Sequence, residues 1–413
     1  MRGAGDARGE PPPGGPFRGS TVPECFPFLL GIRCRAQTGI ASAQGLRRTR
    51  GTCRNDGSMQ SEEDGKMIRE LYTHTRNYGC RLRRFTWNGV DMLTLENAKI
   101  KVAVALGKGA DIVELVYKPL DIDCMWHSFN PLGGADHLPT VAASGGSFLD
   151  AYAGGWQDLC PTFGSPAHYC GGQIGIHGEA CIYPWDCEIL RDEVDCVEVL
   201  LRLRLQRSPF YLEKRLRVAG DEAALDLRET IVNEGGVAQD FMWGQHPAFG
   251  VPFLDESVRL RLAGEPDVVV PQDVIIHHTP FAKEVSGKWP LLPGRDGRMI
   301  DLSRAYGPEE KLYMEYCISN LPEGKYELVN ENLGLGVRMT WDKEVCPYLW
   351  VWGLYHGIDT YPWYGRSYVM AVEPWSTFPS DYDAVNGRGL LHLESGARLE
   401  TELRCELFRE RED

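Results

Sequence analysis

Alternation of apolar and polar residues dominates the chain from Leu93 onward. Val197–Leu205 (VEVLLRLRL), Phe210–Val218 (FYLEKRLRV), Ala224–Val232 (ALDLRETIV), Val258–Leu262 (VRLRL) and Leu399–Phe408 (LETELRCELF) carry a period of two, as half-buried strands do. Turn signals stand between such segments: Ala219-Gly220-Asp221, Asn233-Glu234-Gly235-Gly236, Pro322-Glu323-Gly324 and Ser395-Gly396. Amphipathic helical windows are hard to find, and one short helix is expected within 380–388. The pattern predicts an all-β chain with strands from about 94 to 408. No linker-like break and no solenoid or propeller repeat interrupts it. One large antiparallel sandwich over residues 67–413 fits better than two domains.

The first sixty residues do not share the pattern. They hold nine Arg, no Lys and four acids, with Gly and Pro at 17 positions. Such a stretch cannot bury enough apolar surface to offset its ordering entropy, so residues 1–66 are expected to form a disordered, basic, Gly/Pro-rich tail. A secretory signal built from Phe26–Ile32 and an Ala41-Ser42-Ala43 cleavage site is spoiled by intervening arginines. A basic targeting segment is a second alternative. A tail, or an extension upstream of a start near Met59 or Met67, is preferred to both.

Charge and cysteine content narrow the partners. With 44 basic and 58 acidic residues the net charge is −14, which argues against nucleic acid and anionic membrane surfaces. No run approaches the roughly 20 apolar residues of a membrane span. The 13 cysteines contain no C-x-x-C pair. They read as free, mostly buried thiols in a reducing compartment, with the cytoplasm as the expected location.

Three polar islands interrupt the strand pattern. Gly154–Trp185 is Gly-rich and contains His177-Gly178-Glu179; Phe241–Gly250 (FMWGQHPAFG) carries His246 before a proline; Met370–Pro379 (MAVEPWSTFP) carries Glu373 before a proline. A residue before proline is pushed toward extended geometry and proline breaks the ladder, so His246 and Glu373 are expected at strand ends or bulges. Singly, each histidine reads first as a hydrogen-bonded structural residue. Glu373 stands apart, because an unpaired carboxylate in so apolar a run would cost several kcal/mol. Ten aromatics fall between Tyr348 and Phe378. They could fill the core or face a sugar, and alternation puts Tyr348, Trp350 and Trp352 on one face.

With these segments in hand, residues 90–410 resemble the aldose 1-epimerase (galactose mutarotase-like) superfamily. Leu95–Lys118 is similar to its N-terminal hairpin, His177-Gly178 to a His-Gly step, His246 in WGQHPAFG to its second motif, and Glu373 in AVEPWSTFP to its Glu-Pro motif. The resemblance implies a β-supersandwich of two large twisted antiparallel sheets. It also implies anomer interconversion: a base removes the O1 proton, an acid protonates the ring oxygen, the ring opens, and rotation then closure give the other anomer. In that scheme Glu373 suits the base and His246 the acid on opposite sides of the hemiacetal, with His177 holding the ring oxygen or a hydroxyl. Trp156, Gln157, Gln245, Glu179 and Trp352 are the expected substrate-binding residues. The partner is a small carbohydrate, and no metal or organic cofactor is required.

The chain departs from the family pattern in two places. The first island lacks the usual Arg and has Trp156 and Gln157 in that stretch; a substrate-binding Asp has no clear match, since Lys311–Asn330 offers only Glu315, Glu323 and Glu327. Arg366 could meet an acidic or phosphorylated sugar, although a surface Arg is the plainer reading. Two other classes stay open: a non-catalytic sugar-binding protein of the same fold, and a glycoside-processing enzyme, which would need two carboxylates about 5–10 Å apart. A metal site from His177, Glu179, His246 and Glu373 ranks below both, because only His177 and Glu179 are closely spaced.

Overall fold

The alternating segments become strands in the computed structural model, which describes residues 76–133, 148–271, 278–282, 285–385, 387 and 389–410. The expected N-terminal tail lies outside the described residues. Cys196–Arg204, Phe210–Ala219, Ala224–Asn233 and Arg398–Arg409 pair antiparallel as consecutive neighbours in an eight-stranded sheet. Burial alternates along them as the sequence pattern requires, one face packed and the other wet.

The second large sheet has 14 strands. Five adjacent strands at its centre carry the site, in the order Trp156–Leu159, Gly244–Phe249, Tyr368–Trp375, Tyr348–Tyr355, Leu312–Ser319. Gly244–Phe249 is buried at every position, and Tyr368–Trp375 at all but its first. Strands covered on both faces read as continuous apolar runs, which is why these two looked like interruptions of the alternating pattern. One apolar core draws on both large sheets. Buried polar bonds also cross between them: Lys214 pairs with Asp158, and Gln245 Nε2 donates to Glu229 Oε2 at 2.9 Å.

The helix expected within 380–388 is Tyr382–Val385. The described cysteines are unpaired, and all but Cys170 and Cys187 are buried. Among the described residues no helix is long and apolar enough to cross a membrane.

Candidate active site

Two proline-marked strands place the central pair. Gly244 pairs with Trp375 and Ala248 with Ala371, so the antiparallel register sets His246 opposite Glu373. Pro247 and Pro374 cannot donate to the ladder, yet both strands run on past them. The two residues therefore sit inside strands rather than at strand ends. Their side chains meet directly, with His246 Nε2 3.6 Å from Glu373 Oε2. They are neighbours on one wall rather than partners facing each other across a sugar ring.

A cavity of about 330 Å³ opens over this pair. Trp350, Trp352, Trp363, Trp375, Tyr152 and Phe148 supply most of its apolar wall, and His177, His246, Glu315 and Glu373 its imidazoles and carboxylates. The Trp352 ring centroid is 6.0 Å from that of His246 and 5.4 Å from that of Trp363. Trp350 and Trp352 share a face as the alternation predicts, and both line the cavity with Trp363.

His177 reaches the cavity from a loop. Its φ is +63° and that of Gly178 is +80°. A Cβ on Gly178 would lie 2.2 Å from the Cys160 carbonyl oxygen, so only glycine lets this loop close on the strand end. The amide of Glu179 then donates to that same carbonyl at 2.7 Å. The result holds the His177 ring 5.1 Å from His246 and edge-on to Phe148 at 4.4 Å.

Burial controls the charges here. It holds Glu373 well above the ordinary carboxylate range, and the neighbouring Glu315 pushes the same way. It pulls His246 down to about 4. His177 is held well below the usual imidazole range, again by burial first and then by His246. Tyr152, also raised by burial, remains a phenol, with its hydroxyl 3.4 Å from His246 Nδ1.

The same architecture recurs in solved structures. A candidate aldose 1-epimerase from Klebsiella pneumoniae superposes with a TM-score of 0.62 at 15% identity, over 80% of this chain and 88% of that one. A galactose mutarotase-like protein from Clostridium acetobutylicum gives 0.54 at 13% identity, over 80% and 99%. A galactose mutarotase related enzyme from Lactobacillus acidophilus gives 0.51 at 16%, over 78% and 98%. The chain has the galactose mutarotase-like fold. A family model described as a domain of unknown function, DUF4432, matches residues 87–279. No curated protein matches the chain in sequence.

Within this mutarotase-like fold, four of the expected site residues do not reach the cavity. Gln245 follows strand alternation to the face opposite His246, where its Oε1 accepts from Trp156 Nε1 at 2.6 Å. Trp156 is thereby held in the same inter-sheet layer. Gln157 is fully buried beside His246, and its amide donates to the Gly154 carbonyl at 2.7 Å and to Asp111 at 3.2 Å. Glu179 turns into the loop at 206–208, accepting from the amides of Gln206 and Arg207 and from Ser208 Oγ. With Glu179 turned away, the four-residue metal set is not brought together.

Other residues take their place on the wall. Glu315, one of the three acids in Lys311–Asn330, lines the cavity and accepts from the Tyr313 hydroxyl. Glu327 instead pairs with Arg338 at 2.8 Å on the eight-stranded sheet. Alternation along Leu312–Ser319 puts Tyr313 and Glu315 on one face, a signal legible in sequence once that strand is assigned. Tyr152 and Phe148 precede the first island and carried no such signal. Arg366 stacks on Phe129, its guanidinium 3.6 Å from the ring centroid, outside the cavity lining. A larger groove of about 550 Å³ crosses the eight-stranded sheet, but acids already engage its arginines, as Asp226 does Arg217 at 2.9 Å.

Proposed function

We propose that the protein is an aldose 1-epimerase-like isomerase that interconverts the anomers of a sugar or sugar derivative by acid–base ring opening. The observation that carries this reading is His246 lying against Glu373, with His177 beside them, on the floor of an aromatic cavity sized for one sugar ring. Opening a hemiacetal needs one proton acceptor at O1 and one donor at the ring oxygen, both within hydrogen-bond reach, and this pair supplies both. Trp350, Trp352 and Trp363 would stack on the ring, and His177 would hold an adjacent oxygen. The chemistry moves protons only, so no cofactor is invoked. The unpaired thiols support action in the cytoplasm. Nothing in the composition favours a nucleic-acid or membrane partner, and the folded unit is taken as one domain over residues 67–413.

The test is mutarotation of freshly dissolved reducing sugars, followed by polarimetry or anomeric NMR. The wild-type chain should accelerate at least one sugar. Glu373→Gln and His246→Asn should each slow it by about 10²–10⁴-fold with little change in sugar affinity. The double variant should lose much less than the product of the two, because the groups act as a unit. Sugar binding without acceleration would overturn the proposal in favour of a non-catalytic sugar-binding protein.

A further inference from the structure

The loop between Tyr348–Tyr355 and Tyr368–Trp375 supplies part of the cavity wall and then runs on outside it. Trp363 in this loop lines the cavity and is buried. Tyr361 lines it too, yet is 52% exposed; Tyr364, outside the lining, is 56% exposed. Both tyrosines are held in place. The Tyr361 hydroxyl donates to Asp150 Oδ1 at 2.7 Å, on the segment that also carries Phe148 and Tyr152. The amides of Trp363 and Tyr364 donate to the Thr360 carbonyl at 3.0 and 2.8 Å, and that of Gly365 to the Ile358 carbonyl at 2.7 Å. Tyr364 has a φ of +49°, a region where glycine or asparagine is far less strained than a bulky aromatic residue. Its ring meets Arg366, whose guanidinium lies 5.7 Å from the Tyr364 centroid but closer to Phe129. A ring so exposed recovers little of the backbone strain through burial. Core packing therefore accounts for neither tyrosine, and together they present anchored aromatic faces to water at the edge of the cavity.

Resting on the reading of this cavity as an anomer-interconverting site, we infer that its substrate is the reducing end of an uncharged disaccharide or longer oligosaccharide, with Tyr361 as the platform for the second ring. Only the reducing-end ring of such a chain has a free anomeric hydroxyl, so that ring occupies the cavity. The glycosidic bond leaves it from a carbon away from C1, and the next ring passes out through the mouth. Of the aromatic residues lining the cavity, Tyr361 is the exposed one, and so stands where that ring emerges. A pyranose laid on it covers the apolar face with C–H groups. Its hydroxyls then meet water, the exposed Thr360 hydroxyl and the exposed Asp150 carboxylate. Tyr364, three residues further along the same turn, would meet a third ring. Among the described residues no Lys or Arg lines the cavity, whereas Glu315 and Glu373 do, which disfavours an anionic sugar.

Equilibrium binding of matched sugars to the full-length protein, followed by tryptophan fluorescence, tests this without turnover. Glucose is compared with maltose, cellobiose and lactose, which all carry glucose at the reducing end, and mannose with mannobiose. At least one disaccharide should bind about tenfold more tightly than its reducing-end monosaccharide, the gain expected from covering one exposed aromatic face. Tyr361→Ala should remove most of that preference. Tyr361→Phe keeps the ring while losing the bond to Asp150, and should retain most of it. Monosaccharides that bind as tightly as every disaccharide, or a preference undiminished in Tyr361→Ala, would overturn the inference. Should Tyr361→Ala not fold, the wild-type comparison and Tyr361→Phe still decide, since equal affinities in the wild type are enough to defeat the platform. Mutarotation of the same sugars is read separately. Preference for a disaccharide whose anomers are not accelerated would defeat the functional reading and leave the platform standing; acceleration of glucose with no preference for any disaccharide would do the reverse.

Discussion

Replacing Glu179 separates a structural carboxylate from a substrate-binding one. The residue is fully buried. Its Oε2 accepts from the amides of Gln206 and Arg207 at 3.0 and 2.9 Å, and its Oε1 from Ser208 Oγ at 2.9 Å. Glu179→Ala strips all three donors of their acceptor, and at about 1–1.5 kcal/mol each the loss is about 3–4 kcal/mol. Glu179→Gln should cost far less, about 1 kcal/mol or below. Its amide oxygen can take both backbone N–H groups while its NH₂ donates to Ser208 Oγ. Burial already raises the Glu179 carboxyl, so an uncharged isostere suits the site. Urea unfolding followed by tryptophan fluorescence should show a lower midpoint at unchanged slope for the alanine variant and a near-normal midpoint for the glutamine one. Neither should change the KM for a turned-over sugar by more than about twofold, because the carboxylate does not line the cavity. A raised KM in both variants at unchanged midpoint would refute this account and return Glu179 to the substrate.

Two further outcomes follow from charge and composition. Mutarotation should stay flat as the pH falls through about 6.5, where an ordinary imidazole gains its proton, and should decline only toward about 4, where His246 takes up a proton and the charge of the pair changes. A fall centred near the ordinary histidine value would show that His246 is not buried as described. A chain beginning at Met67 should keep the melting temperature and activity of the full sequence; a drop of more than a few degrees would show that the preceding segment packs on the domain.

Local alternation determined the all-β character of this protein, because side chains on a strand point to opposite faces every second residue whatever the strand pairs with. It also placed Trp350 and Trp352 together, and it held the reason why Gln245 cannot share a cavity with His246, its immediate neighbour. The proline-marked motifs identified His246 and Glu373 as exceptional, since each puts a titratable group into an apolar run. What no local pattern contained was their register. The residues are 127 positions apart in the chain, and only the pairing of Gly244 with Trp375 and Ala248 with Ala371 brings them into contact. Tertiary structure likewise decided that Glu179 serves a neighbouring loop, that Glu315 rather than Glu327 reaches the wall, and that Tyr152 lies on His246 Nδ1. Each depends on which strand or loop lies next to it. Strand neighbours in a large antiparallel sheet are chosen by the packing of the whole core, not by the residues that later meet at the site.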